Sequence, residues 1–299
     1  PPTLLVVGGG IIGLELGQVY ASLGSKVTVV EYLPSLVPGA DSDIIKPLQR
    51  KLNKQFEQIL LSSKVVSVSE IKQDQLSVQI EDKSGIKERV FDKILISVGR
   101  TPNINSLKLE NTNVELNEAG FIKVNEYQKT TVNSIYAIGD IVGNPMLAHK
   151  ATYQGKIAAE VISGHPAVYD VKTVPSVVYT DPEVAWAGLT EKEAKENEIP
   201  YEKGEFPWAA SGKALILNAN QGKTKILFNP ENKQVIGVGI VGPSAGDIIS
   251  EAILAIEMGS DAEDIGLTMH PHPTLGETMA AAAEVFTGSI TDLYIPPKK

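Results

Sequence analysis

The sequence predicts an α/β fold, with a doubly wound unit at the front and an α+β unit at the end. Three observations carry that expectation. Leu4-Leu5-Val6-Val7 is an apolar run that passes into Gly8-Gly9-Gly10-Ile11-Ile12-Gly13 and then into apolar residues at helical spacing. Lys93-Ile94-Leu95-Ile96-Ser97-Val98 is a second apolar run that also ends at a glycine, Gly99. Near residue 175 the pattern changes from strands alternating with helices to strands followed by helices.

In the first segment, 1–105, Leu14, Leu16, Val19, Tyr20 and Leu23 continue the helix to Gly24, and Lys26 to Glu31 reads as the next strand. Strand, glycine turn, helix and strand give G-x-G-x-x-G its required context, a Rossmann-like NAD-binding domain. Gly8 permits the tight turn, Gly10 lets the backbone approach a pyrophosphate, and Gly13 lets helix and sheet pack closely. The helix start faces the phosphates with free N–H groups and a positive dipole end. Glu31 closes the second strand, where a carboxylate accepts both ribose hydroxyls and repels a 2′-phosphate, selecting NAD over NADP. A glycine-rich turn with a surface Glu is the plainer alternative. Ile44 to Phe56 reads as an amphipathic helix, and Lys64 to Val68 and Leu76 to Ile80 as strands. The carboxyl end of the Lys93 strand is expected to be buried and to bring Val98, Gly99 and Arg100 near the cofactor. For Arg100, a surface ion pair is an equal reading.

In the second segment, 106–174, Val114-Glu115-Leu116 and Phe121 to Val124 read as a hairpin turning at Asn117-Glu118-Ala119-Gly120. Ser134 to Ile138 reads as a strand ending in Gly139-Asp140, where backbone comes close and a carboxylate meets a polyol. A helix follows from Lys150 to Ser163. Asp140 reads equally as a turn cap, and His149 as a structural histidine.

In the third segment, 175–299, Val174 to Tyr179, Thr224 to Phe228 and Val235 to Val241 are predicted strands. Leu189 to Asn197 and Ile248 to Met258 are predicted helices, the first with an N-cap at Thr190 and the second closed by Gly259. Met269-His270-Pro271-His272-Pro273-Thr274 is a proline-pinned loop feeding a helix through Phe286. Glu277, one turn into that helix, is placed to orient His272 as a general base. Thr274 and Glu277 also fit a capping box, which would explain the acid without catalysis. His-Pro-His points its two imidazoles awkwardly for sharing a metal, and no metal site is expected.

The 299 residues suffice for two domains, and a formal charge of −9 argues against nucleic acid or an anionic membrane as partner. Lys298-Lys299 reads as a solvated tail, and no run is long enough for a membrane span. The absence of cysteine excludes thiol catalysis and disulfides within these residues. The start at Pro1-Pro2, without Met, suggests a portion of a longer polypeptide.

Several motifs in order resemble the dihydrolipoamide dehydrogenases, a family of flavoprotein disulfide oxidoreductases, and specifically their C-terminal three-fifths. They are the glycine run at 8–17, Ser97-Val98-Gly99-Arg100-Thr101-Pro102-Asn103, Ala137 to Gly143, and Pro145-Met146-Leu147-Ala148-His149-Lys150. Thr180 to Trp186, Phe206 to Gly212, His272-Pro273-Thr274-Leu275 and Gly288 to Leu293 continue the series. The resemblance implies an NAD-binding domain at 1–105, a remnant of the FAD domain at 106–174 and a dimerisation domain at 175–299. It implies NAD contacts from Gly8, Gly9, Gly10, Ile11, Ile12, Gly13, Glu31, Val65, Val98, Gly99 and Arg100, with Glu15 near the nicotinamide. It implies that Gly139 and Asp140 meet the ribityl chain of FAD and that Met146, Leu147, Ala148 and His149 lie at the flavin. His272, oriented by Glu277, would take the thiol proton of dihydrolipoamide in the opposite subunit of a cytoplasmic homodimer. The acyltransferase (E2) of a 2-oxo acid dehydrogenase complex would be the partner.

The family's redox disulfide and main FAD-binding segment are missing, so these residues alone are expected to bind NAD without oxidising dihydrolipoamide. Gly276 also departs from the family, which carries a larger polar residue there. Rival readings are another disulfide reductase, such as glutathione or mercuric reductase or the soluble transhydrogenase, or a non-catalytic NAD-binding dimerisation module. Glu31 speaks against the NADP-dependent members and His272 against those lacking the base.

Overall fold

The computed structural model describes residues 1–72 and 75–294; Lys298-Lys299 lies outside them. Two compact units are present, one formed by Pro1–Val98 with the chain from Pro175 onward, the other by Gly99–Val174.

The first unit opens with β1 (Thr3–Val7), α1 (Ile11–Ser22), β2 (Lys26–Val30), α2 (Ser42–Gln55) and β3 (Gln58–Leu60). Strands β4 (Lys64–Lys72), β5 (Gln75–Asp82), β6 (Gly85–Phe91) and β7 (Lys93–Ile96) follow. A parallel sheet runs β3-β2-β1-β7, while β4, β5 and β6 form a separate antiparallel sheet. The β7 segment was expected to be buried, yet Ile96 and Val98 are each 73% exposed. The reason is position: β7 is the edge of its sheet, with a neighbour on one side only.

The turn from β1 to α1 is set by backbone crowding. Gly8 has φ +110°, and a Cβ there would stand 2.4 Å from the Ser97 carbonyl oxygen. A Cβ on Gly13 would stand 2.1 Å from the Gly8 carbonyl oxygen. Neither position admits a side chain. The Ser97 hydroxyl lies 3.0 Å from the Val7 carbonyl and 3.3 Å from that of Gly8, tying β7 to the turn.

In the second unit the described residues hold α3 (Ala148–Ile162) and three short 3-10 turns, one of them at Gly139–Ile141. Two expectations are corrected here. The 114–124 hairpin is reduced to an isolated bridge between Leu116 and Ile122, with Asn117 capping the turn through the N–H groups of Ala119 and Phe121. Ser134 to Ile138 forms no strand, because it pairs with only a short stretch: Thr130 N–H donates to Ile135 and Ala137 N–H to Gln128. A ladder that short gives little cooperative gain.

After Pro175 come β8 (Ser176–Val178), β9 (Val184–Gly188), α4 (Glu191–Glu196), β10 (Glu202–Pro207), α5 (Gly212–Ile216), β11 (Lys223–Phe228) and β12 (Val235–Val241). Helices α6 (Ala245–Met258), α7 (Ala262–Leu267) and α8 (Glu277–Thr287) close the chain. The five-stranded antiparallel sheet β10-β11-β12-β9-β8 buries Phe206, Phe228 and Ile240 against Ile249 and Met279. Trp208 fills the space left by Gly222 and Gly242 and donates its indole N–H to Thr224 Oγ1 at 2.9 Å. Helix α2 packs on β9 and β12, so one core joins Leu48 and Leu52 to Val184 and Val241.

A charged network ties the same elements. Lys225, 1% exposed in its side chain, holds Asp41 at 2.8 Å, Asp43 at 2.7 Å and Glu191 at 2.9 Å. These three carboxylates have oxygens within 4.8 Å of one another, a spacing suited to a cation, and the ammonium fills it. Asp41 also caps α4, accepting from the N–H groups of Glu191 and Lys192. Burial pulls the Lys225 pKa down, but its three carboxylates outweigh this and raise it. Burial likewise pushes Glu191 up, and hydrogen bonds from Lys225, Tyr201 and Lys203 bring it down from 4.5 to about 2.

Two predictions follow from this packing. Lys225→Met leaves the carboxylates unpaired in a buried site and is expected to cost about 3–5 kcal/mol in urea unfolding. A depressed acid stabilises above its unfolded pKa, so the wild-type contribution from Glu191 is present above 4.5 and lost as pH falls toward about 2. The raised lysine contributes below 10.5 and is lost as pH rises past it. The variant should flatten the acid side of the stability profile. Gly276 has φ −60° and ψ −33°, and a Cβ there meets nothing closer than Thr274 Oγ1 at 3.7 Å. Gly276→Ala is therefore expected to stabilise by about 0.4–1 kcal/mol in the same assay.

Candidate functional site

The glycine turn and the end of β2 come together as one crevice. Glu31, 8% exposed, points at the turn. Its Oε2 accepts the Gly9 N–H at 2.6 Å and its Oε1 the Leu33 N–H at 2.7 Å. A carboxylate offers about four lone-pair positions, so two bonds leave capacity for ribose hydroxyls. Gly9 is packed under Leu36, where a Cβ would stand 2.6 Å from Cδ2. Gly10 is uncovered, with nothing within 4 Å of a Cβ position. It serves as the N-cap of α1 without any side-chain cap. The first N–H groups of a helix lack intrahelical acceptors, so bare backbone and the positive end of α1 meet at Gly10, Ile11 and Ile12. The fit to a dinucleotide pyrophosphate is a fit of main chain: Gly8 and Gly13 close the turn against Ser97 and each other, and the open side is at Gly10.

The other residues expected at NAD are distributed as follows. Glu15 accepts the Tyr179 N–H at 2.8 Å, so its carboxylate is engaged by the segment after Pro175. Val65, at the start of β4, packs on the core of Leu5, Val30 and Ile80. Val98 is exposed at the end of the first unit, and Gly99 and Arg100 open the second.

Within the second unit Arg100 forms an ion pair with Asp140 and donates to the Met146 carbonyl at 3.1 Å. The surface ion pair weighed for Arg100 is present, and it uses the carboxylate expected to meet a ribityl chain. Gly139, at φ +75°, donates its N–H to Gln154 Oε1 at 2.8 Å, and a Cβ would lie 3.0 Å from that of Ala151. Helix α3 starts at Ala148 with Leu147 as an N-cap that supplies no side-chain bond, leaving Ala148 and the exposed His149 at an uncapped end. The buried Lys150 donates to the Gly143 carbonyl at 2.5 Å; burial lowers its pKa while Asp140 works the other way. Arg100 thus ties Asp140 to the Met146 carbonyl, and Gly139 is held against α3 through Gln154.

The loop between α7 and α8 separates its two histidines. The His272 side chain is 79% exposed and its Nδ1 lies 2.8 Å from Glu277 Oε1. Glu277 is the first residue of α8, not one turn into it. Its second oxygen accepts the Thr274 N–H at 2.6 Å, which is half of a capping box. The other half is missing, because Thr274 Oγ1 donates to the Pro271 carbonyl at 2.7 Å. Capping thus accounts for one oxygen of Glu277 and the imidazole for the other. Burial raises the Glu277 pKa, and the Thr274 N–H and His272 more than offset this, so the group sits below the usual carboxylate range. The Nε2 edge of the His272 ring faces away from this pair. His270 is turned elsewhere: Nδ1 meets the Thr268 carbonyl at 2.8 Å and Nε2 meets Glu251 Oε1 at 2.9 Å. The sequence reading missed Glu251, Ser97 and Lys225. Glu251 lies 19 residues from His270, in α6 rather than in the loop, and nothing in local spacing links the two.

Among the described residues no helix is long and apolar enough to cross a membrane. The pyridine nucleotide-disulphide oxidoreductase family matches residues 1–155, and its dimerisation domain matches residues 174–283. The chain is 50% identical over 294 residues to dihydrolipoyl dehydrogenase of Buchnera aphidicola subsp. Schizaphis graminum, covering 98% of this chain and 62% of that protein. It is 51% identical over 300 residues to dihydrolipoyl dehydrogenase of Vibrio parahaemolyticus, covering 100% of this chain and 62% of that one. The chain therefore spans about 62% of the length of these relatives. Among solved structures it is similar to LpdA from Mycobacterium tuberculosis, with TM-score 0.87 and 26% identity, covering 95% of this chain and 61% of that one. The HOCl-induced flavoprotein disulfide reductase RclA from Escherichia coli gives TM-score 0.85 and 26% identity, covering 96% and 65%. Because the family match over residues 1–155 takes in the glycine turn and Glu31, and its dimerisation domain follows at 174–283, the chain belongs to the pyridine nucleotide-disulphide oxidoreductase family.

Proposed function

We propose that this chain is the NAD-binding and proton-handling part of a dihydrolipoamide dehydrogenase. The observation that carries the reading is Glu31, held against the glycine turn by two N–H groups while Gly10 stays bare. That arrangement recognises a ribose with free hydroxyls beside a diphosphate, and it disfavours NADP-dependent reductases. Residues 1–105 serve as the NAD-binding domain, 106–174 complete an FAD domain, and 175–299 form the interface of a cytoplasmic homodimer. The similarity to dihydrolipoyl dehydrogenases supports FAD as the second cofactor and the E2 acyltransferase of a 2-oxo acid dehydrogenase complex as partner.

Bound flavin and nicotinamide supply the two-electron transfer chemistry. Gly8 to Gly13 and Glu31 hold the adenosine and diphosphate of NAD, with Glu15, Val65 and Val98 along its length. Asp140 binds the ribityl hydroxyls once Arg100 shares or releases it, and Met146 to His149 present the helix start to the flavin. Oxidising dihydrolipoamide removes two electrons and two protons. His272 Nε2 takes the proton of the attacking thiol, and ionised Glu277 steadies the imidazole through Nδ1. The chain has no cysteine, so the disulfide that exchanges with the substrate is supplied from outside these 299 residues. The 299 residues alone then bind NAD without oxidising dihydrolipoamide.

The test uses the flavin-loaded enzyme that includes the disulfide. His272→Gln is expected to lower kcat/KM for dihydrolipoamide by about 10²–10⁴-fold, while reduction of an artificial acceptor dye by NADH stays unchanged. Glu277→Gln should fall between. Equal loss in both assays would remove His272 from the thiol step.

A further inference from the structure

The two histidines of the His270-Pro271-His272 loop sit in opposite surroundings. The His270 side chain is 10% exposed, against 79% for His272. His270 has both ring nitrogens committed. A carbonyl cannot donate, so Nδ1 donates to Thr268, and Nε2 lies against Glu251 Oε1. With no nitrogen left over, His270 cannot shuttle a proton, whereas His272 has one nitrogen held and one open.

Glu251 belongs to α6, which packs on β9 and β12. The other hydrogen bonds named for this loop stay local: Thr268 Oγ1 donates to the Asp264 carbonyl, Thr274 Oγ1 to that of Pro271, and Thr274 N–H to Glu277. The His270–Glu251 bond reaches out of the loop to the packed body of the domain. One residue, Pro271, separates it from His272, and a proline ring fixes φ near −65°. Restraint at His270 is therefore passed to His272 through a stiff link.

We propose that His270 and Glu251 form a positioning clamp for His272, fastening the loop to α6 so that the pair with Glu277 is held in one orientation. The inference rests on the reading of His272 as the base. The clamp explains how an imidazole exposed to solvent keeps a defined direction. It also assigns a role to a half-buried histidine, bonded at both ring nitrogens, that proton transfer does not use.

The test compares Glu251→Ala, His270→Phe and the double variant in the flavin-loaded enzyme. Each single change should lower kcat for dihydrolipoamide about ten- to a hundredfold by misplacing the base. Reduction of the dye by NADH and the KM for NAD should not move. The double variant should lose no more than either single one, because both remove the same bond. Glu251→Gln keeps an acceptor for Nε2 and should restore most of the rate, and it carries the comparison if a larger change fails to fold. In the 299-residue chain, which has four histidines, the low-field Nδ1–H proton resonance of His272 should broaden in Glu251→Ala and reappear in Glu251→Gln. Unchanged kcat together with an unchanged resonance overturns the clamp, as does additive loss in the double variant. If the wild type fails to oxidise dihydrolipoamide, the functional reading falls, while the resonance still decides the clamp.

Discussion

The structure depends on a place where no side chain fits. Gly8 and Gly13 lie so close to each other and to Ser97 that a Cβ on either would fall inside 2.5 Å of a carbonyl oxygen. That crowding brings β1, the start of α1 and β7 into contact through main chain, and the crevice above Gly10 is open because the space below is full. Glu31 completes the arrangement by hydrogen bonding back to Gly9. Its carboxylate is thereby oriented before any ligand arrives, which lowers the ordering cost of binding.

Acid groups do different work elsewhere in the chain. Asp41, Asp43 and Glu191 neutralise one buried ammonium and bind α2 and α4 to β11. Asp140 is engaged by Arg100, which ties the carboxylate's availability to the movement of a neighbouring cation. Glu277 divides its oxygens between a backbone N–H and an imidazole. In each case the partner, more than the residue type, decides whether a carboxylate braces the fold or faces a ligand.

Much of the fold was legible because its signals are local. The glycine turn, Glu31, the β12 bounds and the Thr190 cap of α4 each depend on residues within a few positions, and each appears where spacing put it. Features set by distant partners were not legible. Nothing local marks Lys225, inside the predicted Thr224 to Phe228 strand, as buried, and two of its acids lie 182 and 184 residues away in the sequence. Ser134 to Ile138 has strand composition but pairs with too short a neighbour to become one. Ile96 has core composition but lies on a sheet edge. The role of Glu277 was ambiguous because a capping box and an imidazole partner share one spacing, and the folded chain gives it both partners, one for each oxygen.

Bare backbone at Gly8 to Gly13, with Glu31 beside it, is the proposed seat of a diphosphate and an unphosphorylated ribose. Isothermal titration of the 299-residue chain with NAD and with NADP tests it most directly, with Glu31→Ala as the companion. Saturable heat is expected with NAD, with NADP binding at least about tenfold weaker from like-charge repulsion at Glu31, and that discrimination should be lost in Glu31→Ala. Equal affinity for the two nucleotides in the wild type, or no heat from either at millimolar concentration, would contradict it.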